Sequence, residues 1–224
     1  MFADFFNLIF PKLCAACGNT LLKQEHIICI SCQLNLPKTN FHLHQDNDVC
    51  RIFWGRIQIE MAAAFYKFSK KSKVQHLLHQ LKYKGNKEVG ELVGELYGYE
   101  LKKAPLYEGI DVIIPVPLHP KKKKIRGYNQ SEWIAKGLAK TMEVELDTTS
   151  VYRKIHTQTQ TKKARYDRWE NVNSIFGINN PEKLRNKKVL IVDDVITTGA
   201  TLEACATDLK ALGCKIYVAV LAAA

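Results

Sequence analysis

Two stretches of this 224-residue chain carry residue types and spacings that can do chemistry. Near the start stand Cys14-x-x-Cys17 and Cys29-x-x-Cys32. Two such knuckles can surround one zinc ion with four thiolates in a tetrahedron. All four positions are thiolates, so no coordination place is left for water, and the role read from the sequence is structural. The gap Gly18–Ile28 is short but suits a compact knuckle, and Gly18 eases the turn after the first pair. Zinc is favoured over iron–sulfur ligation, and that over free core cysteines.

Near the end, the apolar run Val189–Val192 delivers Asp193 and Asp194, followed by Thr197, Thr198, Gly199, Ala200 and Thr201. A helix is expected to begin there. Backbone N–H groups at a helix N-terminus form an anion site, assisted by the helix dipole. Gly199 allows close backbone approach, and threonine hydroxyls add donors. The two carboxylates cannot serve as phosphate ligands; they suit sugar hydroxyls or magnesium. A phosphate cradle beside a diol or metal site matches a ribose 5-phosphate group. An ordinary capped strand–turn–helix is the plainer alternative, but it leaves the paired aspartates unexplained.

This segment resembles the phosphoribosyl pyrophosphate signature of type I phosphoribosyltransferases. Preceded by a four-cysteine knuckle, it is similar to the ComF competence-protein family. Leu81–Asn86, Ile114–Leu118, Arg126–Gln130 and Thr157–Thr161 with Arg165 and Arg168 also resemble segments of that family. The resemblance implies that Asp193 and Asp194 act at the ribose hydroxyls as the catalytic pair. It implies that Thr197–Thr201 hold the 5-phosphate and that magnesium bridges the pyrophosphate and ribose oxygens. It places Pro117, Leu118, Arg126, Tyr128, Asn129, Lys162 and Arg165 among the substrate-binding residues. It puts a loop that covers the reacting pyrophosphate within Arg153–Arg168, where Lys162, Lys163 and Arg165 would supply cations. Gene-transfer competence, with uptake of single-stranded DNA, is the process the family implies.

The elements that must position these residues are legible as alternating strands and helices. Ile59–Phe68, Asp111–Val116, Val189–Val192 and Ile216–Leu221 read as strands. Val74, Leu77, Leu78 and Leu81 recur at helical spacing ahead of Gly85, and Val89, Leu92, Val93 and Leu96 mark a second helix. Asn129 or Ser131 caps a third, through Leu138. Leu202, Cys205, Leu209 and Leu212 mark the last, with Gly213 just past its end. Phe41–Cys50 reads as loop, and so does the basic run Lys121–Arg126. Buried strands alternating with amphipathic helices predict a parallel α/β sheet covered on both faces, with ligands at the carboxyl ends of its strands. The fold class expected is therefore a parallel-sheet type I phosphoribosyltransferase fold with a small N-terminal zinc module. The module is expected over residues 1–52 and the larger domain over 53–224.

Composition bounds the rest. The chain is 46% hydrophobic and 25% charged, which argues for a folded core. A net charge of +11 attracts polyanions without choosing among them. No stretch is apolar for long enough to span a membrane, and MFADFFNLIF lacks the marks of a signal peptide, so a short amphipathic helix docked on the protein and a cytoplasmic location are expected. Seven cysteines without an export signal argue against a disulfide framework. Two functional classes stand. One is an enzyme that transfers a phosphoribosyl group to an unknown acceptor. The other is a non-catalytic module that binds single-stranded DNA or competence proteins and keeps the sugar-phosphate site as sensor or relic. A regulator that senses phosphoribosyl pyrophosphate is a third possibility.

Overall fold

A computed structural model describes residues 11–154 and 175–224. The expected N-terminal amphipathic helix and most of the expected covering loop, including Thr157–Thr161, Lys162, Lys163, Arg165 and Arg168, lie outside the described residues.

Five parallel strands form the central sheet. They are β1 (Met61–Lys67), β2 (Val112–Pro115), β3 (Glu145–Leu146), β6 (Lys188–Ile196) and β7 (Lys215–Ala223), in the order β1-β7-β6-β2-β3. β4 (Val151–Arg153) and β5 (Phe176–Ile178) pair separately and antiparallel. The parallel sheet and its main strands are those expected from the apolar runs. β3, β4 and β5 hold only two or three residues each and carry no periodicity to read.

Helices cover both faces. α3 (Lys73–Tyr83), α4 (Glu88–Lys102) and α6 (Gln130–Met142) pack on one face together with the cysteine segment; α7 (Ala200–Lys210) packs on the other with Val49 and Phe53. The predicted stripe of α3, Val74, Leu77, Leu78 and Leu81, is buried, and the Ser72 hydroxyl caps the helix by accepting the Gln75 N–H at 3.2 Å. Two segments expected as loops are partly helical. α5 spans Pro120–Arg126, with the His119 ring accepting the Lys121 N–H at 3.2 Å and Pro120 in its first turn. α2 (Asp48–Arg51) is capped by Asn47, whose side-chain oxygen accepts from Val49 and Cys50. A further short helix, α1 (Ile30–Asn35), follows the second cysteine pair.

α4 and α6 meet almost backbone to backbone. A Cβ placed on Gly94 would stand 2.2 Å from the Ile134 carbonyl oxygen, and one on Gly137 would stand 2.1 Å from that of Glu91. Gly90, Gly94 and Gly98 recur every fourth residue and form the seam. This crossing fixes α6, whose first turn reaches the end of β6.

The chain order reverses between β2 and β6. β2 leads outward to β3, whereas β6 returns to the other side of β2 and leads toward β1. Open α/β sheets bind ligands at such a switch point, outside the carboxyl ends of the strands. Here the two strand ends are in register, with Pro115 beside Val192 and the Val116 N–H donating to the Val192 carbonyl at 2.8 Å.

Candidate functional site

The two carboxylates are part of β6 itself. Strand pairing with β7 continues through Asp193, Val195 and Ile196, so β6 ends later than the expected Val192. The alternation of strand side chains then separates the pair. Asp194 lies on the α3 and α6 side and is buried; one oxygen pairs with the Lys82 ammonium at 2.9 Å, and the other accepts from the Gln130 side chain at 2.8 Å. Asp193 is half-buried and lines a small cavity of about 50 Å³ with Val195, Ile196 and Thr197–Leu202. Its Oδ1 accepts from the Ser131 hydroxyl and from the Asp194 N–H, both at 2.8 Å. Burial and the adjacent Asp194 carboxylate push the Asp193 carboxyl up from the usual 3.8 to about 7.

Thr197, Thr198 and Ala200 are exposed and Thr201 is half-buried, all on the wall of that cavity. Gly199 caps α7 with φ +73°, and no side chain takes the cap. Among the described residues, no acceptor meets the N–H groups of Gly199, Ala200, Thr201 or Leu202. Those donors and the helix dipole leave an open place for an anion. The place behind Gly199 is filled, because a Cβ there would stand 2.7 Å from Ile52 Cγ2 and 3.2 Å from the Phe53 ring.

The remaining expected residues lie around this end of the sheet. Pro117 and Leu118 follow β2 and are half-buried. Asn129 is buried and committed twice, donating to the Val116 carbonyl at 2.9 Å and accepting the Ser131 N–H at 3.1 Å. The Tyr128 hydroxyl donates to the Leu81 carbonyl. Arg126 lies over the Tyr83 ring at 5.4 Å, beside a cavity of about 300 Å³ that Lys82 and Lys122 also line. Tyr128 and Asn129 thus lock the start of α6 to α3 and β2. Lys162 and Arg165 lie outside the described residues.

Several residues at the site were not singled out from the sequence. Lys82 reads there as an ordinary helix-end lysine, yet it neutralises Asp194 across the fold. Its signal was its place in the Leu81–Asn86 segment. The sequence leaves Gln130 open between lining the site and starting the helix, and reads Ser131 as a candidate cap; in the fold each holds one aspartate. Arg56 had no signal; its guanidinium donates to the Thr198 carbonyl at 2.7 Å and pairs with Glu203.

At the other end of the chain the four cysteines converge. The Sγ atoms of Cys14, Cys17, Cys29 and Cys32 all lie within 4.8 Å of one another, with Cys17 and Cys29 at 3.9 Å. Four thiolates about 2.3 Å from one tetrahedral centre stand about 3.8 Å apart, so the set fits zinc. The Cys29 N–H donates to Cys14 Sγ at 3.3 Å, and Glu25 accepts the N–H groups of Leu22 and Ile30 at 2.8 Å each. Burial and the sulfurs of Cys29 and Cys17 push the Cys32 thiol up. Four thiolates packed together repel one another unless a cation lies among them. Cys50 stands apart and accepts the Ala62 N–H at 3.3 Å.

Comparison with known proteins gives the chain relatives of two kinds. The phosphoribosyl transferase domain family matches residues 129–224, from the cap of α6 through β7. DNA utilization protein YhgH of Shigella flexneri is 28% identical over 194 residues, covering 85% of this chain and 80% of that protein. Competence protein F of Haemophilus influenzae is 35% identical over 46% of this chain and 45% of its own length. Competence protein ComFC of Bacillus subtilis is 24% identical over 81% of this chain and 77% of its own length. The chain is thus similar to competence and DNA utilization proteins of the ComF type. It joins an α/β domain matched by the phosphoribosyl transferase family to an N-terminal four-cysteine cluster able to hold a metal ion such as zinc. No helix among the described residues is long and apolar enough to cross a membrane.

Proposed function

We propose that this ComF-type chain binds phosphoribosyl pyrophosphate with magnesium and serves DNA uptake in competence from the cytoplasm. The observation that carries the reading is the row of N–H groups at Gly199–Leu202, without a partner among the described residues, beside the Asp193 carboxylate at the switch point of the sheet. Thr197–Thr201 hold the 5-phosphate; of the two expected ribose carboxylates, Asp193 lines the cavity and meets the hydroxyls, while Asp194 stays paired with Lys82 and Gln130 behind it. Magnesium, when bound, neutralises pyrophosphate oxygens, and the oxygen donors beside the loop suit a hard cation. Carboxylates near the ribose also stabilise positive charge that develops at the anomeric carbon as pyrophosphate departs. Pro117, Leu118, Arg126, Lys162 and Arg165 serve the pyrophosphate side, and Tyr128 and Asn129 frame it. The chain is thus a phosphoribosyltransferase with an unidentified acceptor. We assign zinc a structural role in a module over residues 1–52, with the transferase domain over 53–224.

Titration calorimetry with phosphoribosyl pyrophosphate and magnesium tests the site, with Asp193→Ala/Asp194→Ala as control. Binding by wild type alone supports it, and equal binding by both proteins overturns it. Pyrophosphate release with candidate acceptors then tests turnover.

One observation favours a non-catalytic module that binds single-stranded DNA. α5 presents Lys121–Lys124 and Arg126 around the highly exposed Ile125, next to exposed Tyr83. Cations interleaved with an aromatic face suit a single strand. Oligonucleotide binding across salt tests this reading, because phosphate contacts give a steep salt slope. A flat slope, or no binding, rejects it.

A further inference from the structure

The segment between the cysteine cluster and β1 reaches the anion loop from behind. Ile52 and Phe53 fill the place a Gly199 side chain would take. Arg56 then makes three contacts. One guanidinium nitrogen donates to the Thr198 carbonyl at 2.7 Å and to the Ile52 carbonyl at 3.1 Å, and the other pairs with Glu203 in the first turn of α7. Arg56 therefore ties three pieces together: the chain after α2, the loop and the helix that follows it.

The peptide between Thr198 and Gly199 gives this contact its meaning. In a planar trans peptide the C=O and the N–H point in opposite directions. Holding the Thr198 carbonyl against Arg56 therefore turns the Gly199 N–H away from Arg56. A carbonyl turned toward a bound phosphate would repel it, whereas an N–H turned toward it donates. Fixing this one peptide thus decides whether the loop offers a donor or an acceptor. The charged donor makes the bond stronger than a neutral one. Packing does not wedge Arg56 in place, since it borders a cavity of about 670 Å³ with Trp54 and Ile57.

We infer that Arg56 is a positioning residue of the anion loop, which it holds in its phosphate-accepting form through the Thr198 carbonyl and Glu203. The inference rests on the sugar-phosphate reading for its ligand, but the contact and its effect on the loop do not depend on that reading. Arg56 is more than one-third exposed, so its ion pair adds little to overall stability. Its loss should be felt in the loop.

The test uses the full chain as wild type, Arg56→Ala and Arg56→Lys. Amide hydrogen exchange is measured over Ile196–Glu203 without ligand, and affinity is measured with magnesium and phosphoribosyl pyrophosphate in phosphate-free buffer. With Arg56→Ala, loop exchange and the dissociation constant should each rise about tenfold, the scale of a lost charged hydrogen bond, while the melting temperature stays within about 2 °C of wild type. Arg56→Lys keeps one donor group and should fall between. Loop exchange in Arg56→Ala equal to wild type overturns the inference. If loop exchange rises but wild type binds no phosphoribosyl pyrophosphate, the positioning role stands and the proposed function falls.

Discussion

The cysteine cluster and the Asp193–Thr201 loop are both short motifs, but they are completed in opposite ways. The cluster closes on itself. Its four sulfurs come from residues 14–32, and its bracing bonds, from Cys29 to Cys14 and from Glu25 to Leu22 and Ile30, stay within the same segment. The loop is finished by distant residues: Lys82 and Gln130 on Asp194, Ser131 on Asp193, and Arg56 on Thr198. A local motif names every participant of the first site and only half of the second. A closed site is thus a matter of holding an ion, whereas an open one depends on remote packing and is easier to damage from afar.

The largest effect expected comes from breaking closure. Cys32→Ser removes one ligand of four and should abolish stoichiometric zinc, with loss of several kcal/mol because metal binding is folding energy in such a segment. Metal analysis and thermal melting check this; a variant that keeps one zinc per chain and its melting temperature would show that the cluster is not closed by metal. Lys82→Met attacks the open site from a distance. It leaves a buried carboxylate unpaired and should cost about 3 kcal/mol in a denaturant titration, with weaker phosphoribosyl pyrophosphate binding. Gly199→Val comes next. It forces a branched side chain to φ +73° and against Ile52 and Phe53, and should cost about 2 kcal/mol and abolish loop binding.

An effect of opposite sign sharpens the comparison most. Asp193 has its carboxyl raised to about 7, from 3.8 when unperturbed. Between those values the folded chain holds a proton that the unfolded chain has released, so stability falls as pH rises and the loss is complete above about 7. Asp193→Asn should therefore raise the melting temperature by a few degrees at pH 8, with the gain vanishing toward pH 4. Ligand binding should be lost at both. A variant that is less stable at pH 8 would show that Asp193 braces the fold and is not held there for a ligand.

The main strands and helices were legible because their apolar periodicity is long. β3, β4 and β5 were not, because two or three residues carry no period. The end of β6 differs from the sequence expectation for a physical reason: adjacent aspartates are rare inside strands, so the ladder is expected to stop there. It continues because β7 runs alongside as far as Ala223. The run of like charges in α5 points to a loop, whereas His119, Pro120 and Gly127 frame it as a helix. In the candidate site, the aspartates, the threonine loop and the cysteines stood out because each is an unusual local cluster. Lys82, Ser131 and Arg56 did not, since a lone lysine, serine or arginine becomes part of a site only through the fold.

The glycine seam between α4 and α6 bears on how this protein tolerates change. Gly137 lies seven residues along α6 from Gln130, roughly 10 Å by helical rise. A methyl group at Gly94 or Gly137 has no space to enter, so it must part the helices, and the leading end of α6 would swing with them. In a saturation screen scored on ligand retention, these two positions should look as intolerant as the aspartates while touching nothing bound. Such a map would mark a pivot, and reading it as a contact map would place the ligand too deep in the molecule.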